Sequence, residues 1–338
     1  MKPRDIFINA LARKAVPRPA TGSATSIVTM DLMEQAEAFF PEAHLDPKTM
    51  ARLARAGATM LGFDNVMPLF SVWHESAALG CEMDWGAVDR MPDARQPLAN
   101  SIDEVPLIPA DLLSRQGCAV PLEALGILKR DIGDEVAVVG KVFGPWTLGY
   151  HVYGVEEFLI HTLLKPDAVK RAMERLKEVT VAFAQAQIDA GADALCLADH
   201  ATRDLCSPET YRDFLSDIHA EMADRIPCPL ILHICGDTAD RIPYIRETGL
   251  ACFHFDSKVP TATARTLAGD GLALMGGTSN LDVIRTGTPD AIAADVREKA
   301  NHHIEIIGPE CAVPLDAPCE NMRILASEVR SLERGDAS

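Results

Sequence analysis

Short apolar, β-branched-rich runs recur along the chain, separated by amphipathic stretches long enough to be helices. Eight such runs lie near Ser26–Met30, Gly62–Pro68, Val136–Val142, Ala194–Leu197, Leu230–His233, Ala251–Phe255, Ala273–Met275 and Ile304–Ile307. Strand and helix in strict alternation predict a parallel sheet, and eight repeats of the unit predict an α/β fold of the (β/α)8 barrel type. The stretch from Pro166 to Ala190 reads as a helix, with Pro in its first turn and Gly191 at its end. Lys2–Arg18 predicts an extra N-terminal helix covering the barrel. Between Phe70 and Val136 roughly 65 residues, rich in Pro, Asp and Gly, predict a partly helical lid after strand two. No repeat, low-complexity tract or linker divides the chain, so residues 1–338 are read as one domain.

Charge narrows the function. With 32 Lys+Arg against 49 Asp+Glu the net charge is −17, which disfavours nucleic acid and anionic membrane surfaces as partners. No run reaches the roughly 18 apolar residues of a membrane span, and Met1–Ala15 lacks the apolar core of an export signal, so a cytoplasmic location is expected. Nine scattered cysteines, an odd count, argue for reduced thiols rather than a disulfide framework.

In a barrel of this type chemistry gathers at the C-terminal ends of the strands. His233-Ile234-Cys235-Gly236-Asp237 ends predicted strand five, and alternation aims His233 and Cys235 to one side. Imidazole and thiolate are zinc donors, and a catalytic zinc takes three protein ligands and keeps one position open. Cys311 and Cys319 both offer a third donor. Cys311, four residues beyond predicted strand eight, is the better placed; Cys319 reads as the first turn of the final helix. The plainer alternative makes His233 a hydrogen-bonded core histidine and Cys235 a small buried apolar residue, as Cys196 and Cys252 within their strands are expected to be. Asp199 and His200 after strand four, Asp256 after strand six and Asn280 after strand seven point to the same mouth, where each could serve the site or cap the following helix. Glu75 offers a further metal or substrate contact from the lid.

The His233-x-Cys235 pair followed by Cys311, with Phe40-Pro41-Glu42-Ala43-His44 and Glu75-x-x-x-Leu79-Gly80-Cys81-Glu82 upstream, resembles the methylcobamide:coenzyme M methyltransferases of the uroporphyrinogen decarboxylase superfamily. Gly276-Gly277-Thr278-Ser279-Asn280 and Gly287-Thr288-Pro289 resemble that family's strand-seven loop and following helix. The resemblance spans nearly the whole chain. It implies zinc on His233, Cys235 and Cys311, completed by a small thiol such as coenzyme M, with a methylcorrinoid carried by a partner protein as methyl donor. For such a reaction the strand-end and lid positions make Asp199 and Glu75 the expected catalytic residues and Asn280, Asp256 and His200 the expected substrate-binding ones. Relatives running the other half-reaction, from methoxylated, methylamine-derived or halomethane donors to a corrinoid, are the alternative direction. A non-catalytic zinc-stabilised binding protein is the alternative of another class, and it requires a closed four-ligand site. Uroporphyrinogen decarboxylation is disfavoured, because the decarboxylases' Arg-rich R-Q-A-G-R motif is replaced here by Thr21–Met30, with Arg18 the nearest arginine.

Overall fold

The computed structural model describes residues 1–104 and 107–333. Eight parallel strands form a barrel: β1 Ala20–Thr21, β2 Asn65–Val66, β3 Ala137–Phe143, β4 Ala194–Ala198, β5 Leu230–His233, β6 Cys252–Phe255, β7 Ala273–Thr278 and β8 Ile306–Pro309. Ladders run without a break from β1 through β8 and back down to β2. Strands β3 to β8 are buried at every residue, the inner face by the barrel and the outer by helices, which is why they read as continuous apolar runs. The helix Pro166–Asp189 matches its expectation, with Gly191 at φ +111° just beyond it. Among the described residues no helix is long and apolar enough to cross a membrane.

Strand one departs from expectation. The ladder is made by Ala20–Thr21, whereas Ser26–Met30 crosses the barrel mouth and pairs with the loop after β8, through Val313 N to Ser26 O (2.8 Å) and Met30 N to Leu315 O (2.7 Å). Thr29 then caps the helix Met30–Ala36, accepting from Leu32 N. Ile27 and Val28 are apolar because that crossing loop is packed, and an apolar run of this length does not say whether its backbone joins a ladder. The N-terminal helix also stops early, at Leu11, with Arg13 at φ +53°. The lid holds a helix at His74–Leu79, a short hairpin pairing Met83–Asp84 with Asp93–Ala94, and a helix at Gln116–Ile132.

The seam between β1 and β2 is closed mainly by side chains. One backbone bond, Asp64 N to Thr21 O (2.8 Å), is joined by Thr21 N to the Asp64 carboxylate (2.8 Å) and by the Asn65 amide, which spans both Ser23 N and Ser23 O. Gly22 permits this approach, since a Cβ there would lie 2.6 Å from the Phe7 ring and 2.8 Å from Asn65 Oδ1. Arg18 grips the same Asp64 carboxylate with both terminal nitrogens (2.7 and 2.9 Å) in a buried pair. Asp64→Asn should strand the Arg18 charge and cost about 3 to 5 kcal/mol, read as a lowered urea midpoint at unchanged slope. An unchanged midpoint would show that the pair does not hold the seam.

Strand β2 is too short to satisfy its neighbour. Beyond the pairing of Asn65 and Val66 with Ala137 and Val138, β3 backbone groups find side chains instead: Gln187 takes both Lys141 N and Lys141 O (2.8 Å each), and Glu75 Oε1 accepts from Phe143 N (2.8 Å). Every buried peptide group requires a partner, and these two side chains supply it along the upper half of β3.

Candidate metal centre

His233 is the last residue of β5, and Cys235 follows in a tight loop. Gly236, at φ +83°, makes that turn, and a Cβ there would lie 2.4 Å from Thr202 Oγ1. Asp256, just past β6, holds the loop by accepting from Gly236 N (2.8 Å) while its other oxygen accepts from Lys258 N (2.9 Å). Cys311 lies two residues beyond β8, whose ladder ends at Pro309. Its loop is clamped by Glu310, which accepts from Asn280 N (2.8 Å) and Ser257 N (2.9 Å), and by Asn280 Nδ2 donating to Ala312 O (2.8 Å). Asp256 and Asn280 thus brace the two loops that carry the sulfurs.

The three donors converge. His233 Nε2 stands 3.0 Å from Cys235 Sγ and 3.5 Å from Cys311 Sγ, and the two sulfurs are 3.0 Å apart as free thiols. This is the cluster of His, Cys and carboxylate side chains among the described residues with the reach to hold a metal ion. A tetrahedral zinc with bonds of about 2.0 to 2.3 Å separates its ligand atoms by roughly 3.3 to 3.8 Å, so the donors stand close to the required spacing. Without an ion the thiols titrate as a pair: the hydrogen bond from Cys235, with help from His233, holds Cys311 well below the ordinary thiol range, and the same bond and burial push Cys235 up. The His233 ring packs on His254 with centroids 4.6 Å apart, and its Nδ1 is buried without a partner. Burial holds His254 down to about 3, so its ring is neutral and Nε2 donates to Pro309 O (2.8 Å).

The cluster opens on a cavity of about 340 Å³ whose walls include Trp73, Lys141, Phe143, Tyr150, His151 and His200. Trp73 from the lid stacks on His151 at a centroid distance of 3.9 Å, and His151, held neutral by burial at about 3, bonds Ser76 Oγ through Nδ1 (2.8 Å). Asp199 reaches this cavity but is fully engaged behind it. One oxygen accepts from Thr147 N and Oγ1 at the start of the helix Pro145–Tyr153; the other meets His219 Nε2 (3.1 Å), whose Nδ1 is bonded to Tyr211 Oη. His200 is tied in by its own N–H, which donates to Thr147 Oγ1 (2.7 Å). Gly144 lets the carboxylate come this close, for a Cβ would lie 2.1 Å from Asp199 Oδ2. Asp199 therefore sets the helix that carries Tyr150 and His151.

Glu75 sits behind the wall, fully buried, with Oε1 on Phe143 N and Oε2 without a partner; burial pushes it up to about 7. Cys319 is far from the cluster in role, buried at its helix start against Thr29 Oγ1 (3.4 Å), and Cys196 and Cys252 are wholly buried strand residues. The sequence reading missed Lys141, His254, Glu310 and Thr147. Lys141 had a signal, a lone charge inside the apolar run Val138-Val139-Gly140-Lys141-Val142-Phe143, and His254 was legible as an inward position of β6.

A family model, uroporphyrinogen decarboxylase, matches residues 2–332. The chain belongs to the uroporphyrinogen decarboxylase family. Within the family it is 33% identical, over 87% of its length and 80% of the relative's, to a protein of Methanosarcina mazei named methylated-thiol-coenzyme M methyltransferase. It is 30% identical, over 95% of both chains, to a methylcobamide:CoM methyltransferase of Methanosarcina barkeri. A solved methyltransferase from Methanosarcina mazei superposes with a TM-score of 0.95 at 28% identity, covering 98% of this chain and 99% of that one. The resemblance to methylcobamide:coenzyme M methyltransferases therefore holds over most of the chain. This member of the uroporphyrinogen decarboxylase family is an enzyme of the methyltransferase class. Consistent with that, Arg18, the arginine nearest strand one, is buried against Asp64 and does not line the cavity.

Proposed function

We propose that the protein transfers a methyl group from a methylated corrinoid, carried by a partner protein, to the sulfur of a small thiol, coenzyme M being the acceptor in the relatives' names. The observation that carries this reading is the convergence of His233, Cys235 and Cys311 at the floor of a cavity. The donor set suits zinc: two soft sulfurs and one imidazole, with three protein ligands and the remaining side facing open space. Held there, zinc would lower the proton affinity of an incoming thiol and present it as a thiolate at neutral pH.

The chain's own residues do the rest. Asp256, through Gly236 N, and Glu310 with Asn280, through the loop after β8, keep the two cysteines in register. Asp199 fixes the cavity wall through Thr147 and His219, and His200 borders the space where substrate lies. Glu75 positions Phe143. The walls of Trp73, Phe143 and Tyr150 exclude water, which favours attack by sulfur over hydrolysis. In the overall reaction a sulfur–carbon bond forms and the carbon–cobalt bond breaks, with its electron pair remaining on cobalt.

The test is to mix zinc-loaded protein with methylcobalamin and 2-mercaptoethanesulfonate, following the loss of methylcobalamin by absorbance and the thioether by mass spectrometry. Formation of both products in equal amounts is expected. The name of the 33% identical relative favours one further reading, in which a methylated thiol is the methyl source. In that case methylthio donors should methylate cobalt(I) corrinoid in the same protein, while methylcobalamin with thiol gives little turnover.

A further inference from the structure

The cavity over the His233, Cys235 and Cys311 cluster is larger than a two-carbon thiol needs. Its volume of about 340 Å³ lies in the range of sites that hold ligands of drug size. At about 30 Å³ per water it has room for roughly eleven, and a two-carbon thiol displaces about four of them. The remaining space is walled by rings. Phe143, at the end of β3, and Tyr150, on the helix Pro145–Tyr153, line it while only 2% and 6% exposed. The Tyr150 hydroxyl is already bonded to Trp146 Nε1, so what this residue offers the cavity is its ring. Trp73 closes the lid side and is held in place. Its backbone N–H donates to Ser71 Oγ (3.1 Å), and its ring stacks on His151, which Ser76 fixes in turn. Val72 and Val155 carry the apolar surface to the rim, where they stay 41% and 46% exposed. Lys141 shares the space and rests over the Phe143 ring at 5.0 Å, which leaves Trp73, Tyr150 and the two valines as the part of the wall without a charge. Asp199, the carboxylate on the wall, commits its oxygens to Thr147 and His219 behind it. An apolar surface left open to water beside a reactive cluster is ordinarily a contact surface for an apolar group of the ligand.

We propose that the sulfur compound bound at the cluster carries an apolar or aromatic body of about six to eight carbons, seated against Trp73, Phe143, Tyr150 and Val155. The sulfur half of that statement rests on the proposed function; the apolar pocket does not. The same chemistry has two sources, an acceptor thiol or a methylated thiol acting as donor, and the experiment separates them. The plainer duty of this wall, keeping water from the reaction, predicts no preference among thiols and is an outcome of the same experiment.

Calorimetric titration of the zinc-loaded protein with 2-mercaptoethanol and 2-phenylethanethiol, in wild type, Trp73→Ala and Val155→Trp, tests this. Wild type should bind one molecule of 2-phenylethanethiol about thirtyfold or more tighter than 2-mercaptoethanol, since each buried methylene is worth a factor of about three to four. Trp73→Ala should cut that ratio at least about fivefold by removing wall, and Val155→Trp should cut it by filling the space, both with zinc content unchanged. Equal affinity of wild type for the two thiols overturns the proposal and leaves the wall as a water barrier. So does a ratio that survives in both variants, because the preference then arises elsewhere. The source of the body is read from turnover. With methylcobalamin, 2-phenylethanethiol should yield methyl 2-phenylethyl sulfide if the thiol is the acceptor; with cobalt(I) cobalamin, that sulfide should yield methylcobalamin and the free thiol if it is the donor. Failure of the methyl-transfer reading looks different, because tight binding of 2-phenylethanethiol then persists while neither reaction runs.

Discussion

Cys235→Ala and Cys311→Ala should each reduce bound zinc from about one ion per chain to background and lower methyl transfer at least about a hundredfold, while Cys319→Ala leaves both intact. The three donors lie 3.0 to 3.5 Å apart, so each sulfur removed takes away one corner of a cluster that offers three protein donors among the described residues. Cys319, buried against Thr29, shares neither cavity nor neighbours with them. The fold should survive, because Cys235 and Cys311 lie on loops beyond the strands and their backbones are held by Asp256, Glu310 and Asn280. Metal analysis and circular dichroism on the same samples separate loss of metal from loss of fold. Full metal content in the Cys311→Ala protein would remove the candidate centre.

Glu75→Gln should stabilise the protein at pH 8 and do little at pH 4. Burial raises the Glu75 carboxyl from 4.5 to about 7. A carboxyl raised in the folded state binds more protons there than in the unfolded chain between those two values, so stability is present below about 4.5 and falls as pH climbs through 7. The loss above pH 7 is on the order of 3 kcal/mol. Glutamine keeps the acceptor for Phe143 N and carries no charge at any pH, so the difference in melting temperature between variant and wild type should grow by several degrees from pH 4 to pH 8. A difference independent of pH would mean that Glu75 is not a desolvated carboxyl.

Much of this was legible in order along the chain. Seven of the eight strands fell on the apolar runs that mark them, because a strand buried on both faces leaves no polar position to disguise it. The exception, Ser26–Met30, is equally apolar but crosses the mouth, and the true β1 is two residues held by the Asp64 and Asn65 side chains. No periodicity records a strand that short. Cys311 and Cys319 were both available as the third donor; they were separated by geometry, Cys311 facing His233 and Cys319 facing Thr29.

By itself the sequence determined the element order, the acidic charge, the His-x-Cys pair at the end of strand five and the family, all of which depend on residue type and local spacing. The tertiary structure decided what each polar residue does. Asp256, Asn280 and Asp199, read from the sequence as strand-end site candidates, spend their oxygens and amides on Gly236, Ala312 and Thr147. Lys141, an unremarked charge in an apolar strand, stands in the cavity without a partner. Those roles depend on contacts between residues far apart in the chain, and closure of the barrel is what brings them together.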